Sequence, residues 1–328
     1  MKKGNKKRRM FHALDCVLIL GLSVFVLLDS FVIARAYDTV PVTEGETALK
    51  SGSNYVYATE YEDEDTEEVS ESSEAETEAS SSDPVITDTS YEDENISIEI
   101  EEYRYEDTTI YVADVEVSSV EYLQSAFANA TYGKNVTAAT SDIADSVDAI
   151  LAINGDYYGA RNSGYVIRNG ELYRESSSGE STEDLAVMSD GSFEIVTEGA
   201  TTASELLEAG ALQVYSFGPA LIEDGEIVVG EDEEVGKAMA SNPRTALCEI
   251  SPLHYLLVVS DGRTDESEGL SLYQMAEFLE SLGVETAYNL DGGGSSTMVF
   301  NGELVNNPTT SGRSVKERSV SDIVYIGY

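Results

Sequence analysis

Alternation of apolar and polar positions is the main pattern in the part of the chain after residue 96. Residues 109–117 read TIYVADVEV, an alternating and β-branched stretch that predicts a strand. Short apolar runs separated by Asn-Gly or Asp-Gly pairs predict β-hairpins. Such pairs occur at positions 169–170, 190–191, 224–225 and 301–302. Strands are therefore expected to outnumber helices.

Helical periodicity is confined to a few segments. Residues 271–282 place apolar side chains on one helical face, and Gly283 follows as a terminator. Residues 119–128 and 204–209 predict two shorter helices. The pattern as a whole predicts an α+β fold with mixed, mostly antiparallel sheets and a few flanking helices.

The N-terminus has a different pattern. Lys and Arg cluster within residues 2–9, and an apolar run covers residues 16–28 and continues past Asp29 to residue 34. This order predicts a cytoplasmic N-terminus with the rest of the chain translocated. Ala34-Arg35-Ala36 fits a signal-peptide cleavage site, while the full run is just long enough for a membrane anchor. Residues 1–36 are thus expected to be a signal peptide or an uncleaved anchor, with the remainder membrane-anchored or secreted on the extracellular side of the cytoplasmic membrane.

Charge divides the remainder into two parts. The 62 acidic and 19 basic residues of this 328-residue chain give a net charge of −43. Residues 51–103 contain no Lys or Arg and are rich in Asp, Glu, Ser and Thr. We expect residues 37–95 to form an acidic disordered linker and residues 96–328 to form the folded domain. A surface this negative excludes nucleic acid as a partner.

The available chemistry is restricted by composition. The chain has two histidines, His12 in the N-terminal export segment and His254 at the start of an apolar strand. We expect His254 to be structural, so a Ser–His–Asp triad lacks its base and a His/Cys zinc site lacks its ligand set. Cys248 is expected to be a small buried apolar residue. Catalysis must use carboxylates, arginines and hydroxyls. No cofactor is predicted, although a hard divalent cation such as Ca²⁺ or Mg²⁺ remains compatible with the carboxylates.

The most informative motif is a glycine loop that follows a predicted strand at residues 285–290. Consecutive glycines let the backbone turn N–H groups toward one point and hold an anion or a sugar oxygen. The acid Asp291 opens the loop and hydroxyls close it. We therefore assign substrate binding to Gly292, Gly293, Gly294, Ser295, Ser296 and Thr297.

Further polar clusters stand at the ends of predicted strands. They are Asn154-Gly155-Asp156-Tyr157-Tyr158, Asn242-Pro243-Arg244-Thr245-Ala246, Asp261-Gly262-Arg263 and Glu317-Arg318. Together with the glycine loop, these motifs resemble the phosphodiester glycosidase family, in the same order, over residues 148–328. The resemblance implies cleavage of a sugar joined through its anomeric carbon to a phosphodiester. We expect the substrates to be glycosyl phosphodiesters of cell-surface or exopolysaccharide glycans.

Physical roles can be assigned to the matching positions. Arg244 and Arg263 are expected to clamp phosphate oxygens, with the N–H groups of residues 292–295 completing the cradle. Asp291 or Asp156 is expected to act as nucleophile or water-activating base. Asp261 is expected to orient an arginine. The remaining expected substrate contacts are Asn154, Thr245 and Arg318, together with the hydroxyls of the glycine loop.

Two alternatives stay open at this point. A metal-dependent phosphodiesterase would use Asp156, Asp261 and Asp291 as oxygen ligands and would cleave the P–O bond. A non-catalytic receptor for phosphate-bearing wall glycans would use the same arginines and glycine loop without turnover.

Overall fold

The computed structural model describes residues 20, 22–29, 32–37, 83–235 and 241–328. Within these ranges the three α-helices that lie between strands are α1 (Thr140–Ser146), α2 (Ala203–Glu208) and α3 (Leu272–Ser281), and residues 22–29 are also helical. The strands are β1 (Arg35–Ala36), β2 (Val85–Ile86), β3 (Ser90–Glu92), β4 (Ile96–Tyr105), β5 (Thr108–Val117), β6 (Leu123–Phe127), β7 (Gly133–Lys134), β8 (Leu151–Asn154), β9 (Val166–Arg168), β10 (Glu171–Arg174), β11 (Glu183–Met188), β12 (Phe193–Thr197), β13 (Ala211–Tyr215), β14 (Ala220–Glu223), β15 (Glu226–Ile227), β16 (Thr245–Ser251), β17 (His254–Ser260), β18 (Thr286–Asn289), β19 (Met298–Phe300), β20 (Glu303–Leu304) and β21 (Asp322–Ile326).

These strands form one large sheet and three smaller ones. The large sheet has the order β15-β14-β18-β16-β17-β5-β4-β3-β2. Two five-stranded sheets have the orders β10-β9-β13-β11-β12 and β20-β19-β8-β21-β6, and β1 pairs with β7. All pairings between these described strands are antiparallel. The predicted α+β class with mostly antiparallel sheets is confirmed.

The large sheet is covered on both faces at its centre. In β17, Leu257 and Val259 belong to one apolar core, and Leu256 and Val258 belong to the core beneath α3. Successive residues of a strand point to opposite faces, so a run that is apolar at every position indicates a strand buried on both sides. Burial of each such side chain contributes about 1.5–3 kcal/mol.

Local sequence signals set the ends of several elements. Ser271 caps α3 by accepting a hydrogen bond from the backbone N–H of Gln274, as the predicted helix over residues 271–282 requires. Three of the predicted hairpin turns place both central residues at positive φ, the geometry of a type I′ turn. They are Asn169-Gly170, Asp224-Gly225 and Asn301-Gly302.

Two expectations from the sequence differ from the structure. Residues 119–128 do not form the predicted helix: a 3-10 turn over Val120–Tyr122 leads directly into β6. Leu123 and Ser125 are buried at alternate positions, and β6 pairs with β21 at a sheet edge, which outweighs local helix propensity. The folded part also begins before residue 96, because β2 and β3 extend the large sheet and Tyr91 is buried in its core.

The N-terminal expectation falls mostly outside the described residues, as does the acidic stretch 38–82. Among the residues that are described, no helix is both long and apolar enough to cross a membrane. The segment 32–37 lies against the folded part, where Arg35 and Ala36 pair with Lys134 and Gly133.

The antiparallel register brings the site motifs together. In the large sheet the start of β16 lies beside the end of β18, since Ala246 pairs with Asn289. In the neighbouring sheet the end of β8 lies beside the start of β21, since Asn154 pairs with Ile323. The loops that leave these strand ends carry most of the residues singled out from the sequence.

Candidate active site

Asn154 joins the two sheets at the site. Its Oδ1 accepts hydrogen bonds from Thr245 Oγ1 at 2.8 Å and from the Thr297 N–H at 3.2 Å. Its Nδ2 donates to the carbonyl oxygen of Asp291 at 2.6 Å. Asn154 and Thr245 are both fully buried. Their polar atoms therefore hold the start and the end of the glycine loop in place, a different use from the sugar contacts expected from the sequence.

The glycine loop is too crowded for side chains. Gly293 has φ 64° within a 3-10 turn over Gly293–Ser295, a conformation that favours glycine. A Cβ on Gly293 would lie 2.8 Å from Nη2 of Arg263, and one on Gly294 would lie 2.3 Å from Oγ1 of Thr310. The glycines thus allow the loop to approach Arg263 and the following loop closely.

Two of the backbone N–H groups expected to bind an anion are already hydrogen-bonded to carbonyl oxygens of the protein. The N–H of Gly293 donates to the Pro243 carbonyl at 2.8 Å, and the N–H of Ser295 donates to the Gly292 carbonyl at 3.3 Å. Within the described part of the chain, the N–H groups of Gly292 and Gly294 have no acceptor. The cradle expected from four N–H groups is therefore reduced to two, and side chains must provide the remaining positive potential.

Asp291 is the best-placed acid. Its residue exposure is 8%, and its Oδ2 accepts from Ser295 Oγ at 2.6 Å and from Arg318 Nη2 at 2.8 Å. Oδ1 of Asp291 accepts no hydrogen bond from any described residue. Burial raises the pKa of Asp291, and Arg318 and Ser295 oppose this shift. One oxygen is fixed while the other stays available for chemistry.

Three arginines converge beside Asp291. Arg244, Arg263 and Arg318 line a cavity of about 190 Å³ together with Asp291 and the glycine loop. Burial lowers the pKa of Arg263, and the nearby charges of Arg318 and Arg244 lower it further. Asp291 and Glu234 offset two of these three cations, which leaves one net positive charge at the cavity and suits a phosphate group.

Backbone and amide acceptors fix two of these arginines. Arg263 donates to Asn242 Oδ1 at 2.9 Å through Nη2 and to the Thr310 carbonyl at 2.8 Å through Nη1. Arg244 donates to the Leu270 carbonyl at 2.8 Å through Nε and to Glu234 Oε2 at 2.6 Å through Nη2. Among described residues, Nη1 of Arg244 has no acceptor.

A buried ion network supports Asp156. Oδ2 of Asp156 accepts from Arg168 Nη2 and from the Ser216 N–H, both at 3.0 Å, and Oδ1 accepts from the Tyr158 N–H at 2.8 Å. Arg168 also donates to Oδ2 of Asp322 through Nε at 3.0 Å and Nη2 at 2.8 Å. Asp156 has both oxygens engaged, so Asp291 is better suited to attack or to deprotonate a water.

The second acid of this network has a shifted pKa. Burial raises the pKa of Asp322 to about 8; Arg168 opposes the shift and Asp156 adds to it. For Arg168, burial alone would lower the pKa, but the charges of Asp156 and Asp322 outweigh it and raise the pKa. Neither Arg168 nor Asp322 was identified as functional from the sequence. The available signal was a charged residue at one end of each of two short, otherwise apolar strands.

Asp156 and Asp291 also border a second cavity of about 360 Å³, which includes Tyr157 and Asn135. Asp291 and Arg318 line both this cavity and the arginine-lined one. The site therefore consists of a positive cavity and a larger polar cavity that share Asp291 and Arg318 in their walls. This arrangement can place a phosphate in one cavity and a sugar in the other, with Asp291 beside both.

Residues 148–327 match the family model described as phosphodiester glycosidase. The chain belongs to this family. The resemblance drawn from the sequence motifs is thereby confirmed, and the members of the phosphodiester glycosidase family are enzymes.

Several proteins are similar to this chain over the same region. The chain is 32% identical to the mouse and human N-acetylglucosamine-1-phosphodiester alpha-N-acetylglucosaminidases over 189 residues, which is 52% of this chain and 36% of each relative. It is 28% identical to the SPbeta prophage-derived uncharacterized protein YomE of Bacillus subtilis over 186 residues, which is 55% of this chain and 28% of YomE. The chain thus spans about a third of the length of these relatives.

The fold is shared with a solved structure of the family. The zebrafish N-acetylglucosamine-1-phosphodiester alpha-N-acetylglucosaminidase catalytic domain, auto-inhibited by its pro-peptide, aligns with a TM-score of 0.56 and 23% identity. The alignment covers 71% of this chain and 83% of the zebrafish domain. At this identity the likeness establishes the common fold.

Three other predicted site positions, Ser296, Thr297 and Asp261, do not line the two cavities that Asp291 borders. The side-chain hydroxyls of Ser296 and Thr297 are buried and have no partner among the described residues. Asp261 accepts from the N–H of Asn307 at 2.9 Å and from its Nδ2 at 3.0 Å. It contacts no arginine within the described ranges, and it lines a third cavity.

The described residues contain no group of three or more His, Cys, Asp or Glu side chains placed to hold a metal ion. The three acids named as ligands for a metal-dependent phosphodiesterase do not converge, because Asp261 lines a different cavity from Asp156 and Asp291.

Proposed function

We propose that this chain is a hydrolase that cleaves the bond between the anomeric carbon of a sugar and the oxygen of a phosphodiester. The observation that carries the proposal is the free Oδ1 of Asp291 beside a cavity lined by three arginines. The family and its N-acetylglucosamine-1-phosphodiester relatives support the same reaction class.

The chemistry follows from the charges. The bond from C1 to the phosphate oxygen breaks, and its electron pair leaves with the phosphate. Arg244, Arg263 and Arg318 stabilise that departing anion, so the leaving group needs little help from a general acid. Asp291 either takes a proton from the attacking water or attacks C1 itself and is later displaced by water. In both cases the water oxygen ends on C1 and one proton is released.

The location of the bond that breaks is directly testable. The full-length chain is incubated with an N-acetylglucosamine-1-phosphodiester in ¹⁸O-water, with and without EDTA. We expect the label in the released sugar and turnover that EDTA leaves unchanged. Label in the phosphate would instead identify P–O cleavage. Saturable binding without product would identify a receptor for phosphate-bearing glycans.

Arg244→Ala is expected to lower kcat/KM by about 10²–10³-fold, as expected for the loss of one preorganised donor to a developing anion. The reason is that Arg244 lines the positive cavity and its Nη1 has no acceptor among described residues. Steady-state kinetics on the same substrate measures the effect. Arg104→Ala, at an exposed position that does not line the arginine cavity, serves as the matched control. Turnover within a few-fold of wild type would contradict the proposed role of Arg244 in binding the phosphate.

The acid limb of the pH–rate profile is expected to lie above the ordinary range of an aspartate. Burial raises the pKa of Asp291, and its ionised form is required, so activity falls as the pH drops through that raised pKa. Arg318 lowers the pKa of Asp291, so Arg318→Gln should move the limb to higher pH. A profile of kcat/KM against pH for both forms measures the shift. An unmoved limb would assign the titration to another group.

We further propose that the enzyme acts on the extracellular side of the cytoplasmic membrane on glycosyl phosphodiesters of cell-surface or exopolysaccharide glycans. The basic cluster and apolar run within residues 2–34 support export. Cleavage of a C-terminal epitope tag by protease added to intact cells is the expected result. A tag that is protected until the cells are lysed would contradict this location.

A further inference from the structure

The Asp261-Gly262-Arg263 motif faces two cavities. Arg263 lines the arginine cavity, while Asp261 and Gly262 line a separate cavity of about 500 Å³. The two cavities are adjacent, because a Cβ on Gly262 would lie 2.7 Å from the ring of Pro243 and 3.0 Å from the backbone of Asn242, which borders the arginine cavity. Of the three residues of this motif, only Arg263 has a role in the proposed function.

The larger cavity is built from polar groups and one aromatic ring. Tyr111 is 9% exposed, and its hydroxyl lies 3.5 Å from Nδ2 of Asn307. The exposed Asn307 is held by Asp261 through both its N–H and its Nδ2, which leaves its Oδ1 without a partner among described residues. Exposed Glu102 and Glu266 complete the rim. The volume lies within the range of about 300–1,000 Å³ typical of small-molecule sites.

The charge of this cavity selects the class of its ligand. Glu102, Asp261 and Glu266 outnumber the one arginine in its lining, Arg313, so a phosphate or another anion is repelled. Carboxylate and amide oxygens accept hydrogen bonds from hydroxyl donors, and a tyrosine offers a ring face and a polar tip. A neutral polyhydroxylated ligand, such as a saccharide, matches these groups.

Part of the cavity lies outside the region that matches the family model. Glu102, Thr109 and Tyr111 come from β4 and β5, before residue 148. The loop with Asn307 and Thr309 closes the other side, and its Thr310 carbonyl accepts from Arg263 Nη1 at 2.8 Å. A ligand in this cavity would therefore contact Thr309, and the next residue in the chain, Thr310, contacts Arg263 of the arginine cavity.

From this placement we propose that the cavity around Tyr111, Asp261 and Asn307 is a subsite for a neutral saccharide on the aglycone side of the phosphodiester. The proposal rests on the proposed function. The phosphate would occupy the arginine cavity, the sugar that is released would lie beside Asp291, and the saccharide that keeps the phosphate would extend into this subsite. The subsite would therefore determine which glycan carries the cleaved group.

The test compares substrates that differ only in the aglycone. Full-length protein is assayed with N-acetylglucosamine-1-phosphate esterified to methanol or to maltose, cellobiose or N,N′-diacetylchitobiose. We expect kcat/KM for at least one disaccharide ester to exceed that of the methyl ester by about tenfold or more, mainly through KM. Asn307→Ala, at an exposed position, should reduce this preference by about fivefold, the effect of one or two lost hydrogen bonds. Glu99→Gln, on the same strand as Glu102 but outside the cavity, is the matched control.

A second measurement separates this proposal from the proposed function. Binding of the three free disaccharides is followed by saturation-transfer NMR on wild type, Asn307→Ala and Glu102→Gln. Binding that both variants weaken supports the subsite even if no ester is hydrolysed, in which case the glycosidase assignment alone fails. Equal kcat/KM for all esters, or binding that neither variant changes, overturns the subsite.

Discussion

Asp291→Asn is expected to lower kcat by about 10³-fold or more, because the substitution removes the carboxylate whose Oδ1, among described residues, accepts no hydrogen bond and can act as nucleophile or base. The amide is isosteric and can still accept from Ser295 and Arg318, so the fold should persist. The effect is measured as turnover of an N-acetylglucosamine-1-phosphodiester, with unfolding in urea as the check on stability.

Asp190→Asn is the matched control, since Asp190 lies exposed in a hairpin turn away from the cavities. Activity of Asp291→Asn within tenfold of wild type would show that Asp291 is not the catalytic acid and would point to Asp156 instead. The configuration of the released sugar, read by NMR, then separates the two roles of the acid. Retention identifies a nucleophile, whereas inversion identifies a base.

Arg168→Leu is expected to destabilise the fold by about 3–5 kcal/mol, the cost of removing one partner from a buried ion network. Arg168 lies between Asp156 and Asp322, and the side chains of all three are at most 1% exposed. Without the guanidinium, two carboxyl groups would remain in the interior with no cation. The free energy of unfolding in urea near pH 7 measures the effect.

The matched control is Arg104→Leu, an exposed arginine whose nearest carboxylate, on Asp107, is 3.9 Å away. Surface ion pairs of this kind contribute about 0–1 kcal/mol. A double variant, Arg168→Leu with Asp322→Leu, should recover part of the loss because one unpaired acid is removed with its cation. A loss no larger than that of Arg104→Leu would show that the network does not stabilise the fold.

Local signals predicted much of the fold. The turns at Asn169-Gly170 and Asn301-Gly302 require positive φ, and the cap at Ser271 requires a hydroxyl at that point, so short stretches of sequence determine these elements. Residues 119–128 show the opposite case. The segment has few turn residues and a fair helix propensity, but the partner that makes it a strand is β21, about 200 residues later in the chain.

The candidate site divides in the same way. Glycine, acid and arginine motifs at strand ends were visible in the sequence, and the antiparallel register explains why Asp291 and Arg244 meet. Other features could not be predicted because they depend on contacts between loops. The contact with Arg318 determines which oxygen of Asp291 accepts a hydrogen bond, and the contact with Asn307 holds Asp261 in a different cavity. The pairing of Arg168 with Asp322 spans 154 positions and has no local signature.

The pairing of β1 with β7 constrains the order of events if the chain is exported. The Ala34-Arg35-Ala36 stretch is held in a strand against Gly133 and Lys134, and a Cβ on Gly133 would lie 1.9 Å from the Arg35 carbonyl oxygen. During N-terminal-first synthesis, Gly133 follows Ala36 by almost a hundred residues. β1 stays unpaired until the part of the chain that carries β7 has been made and has folded. If a peptidase cleaves at Ala36, cleavage and folding would compete in time, and a chain that folds first would keep its N-terminal segment.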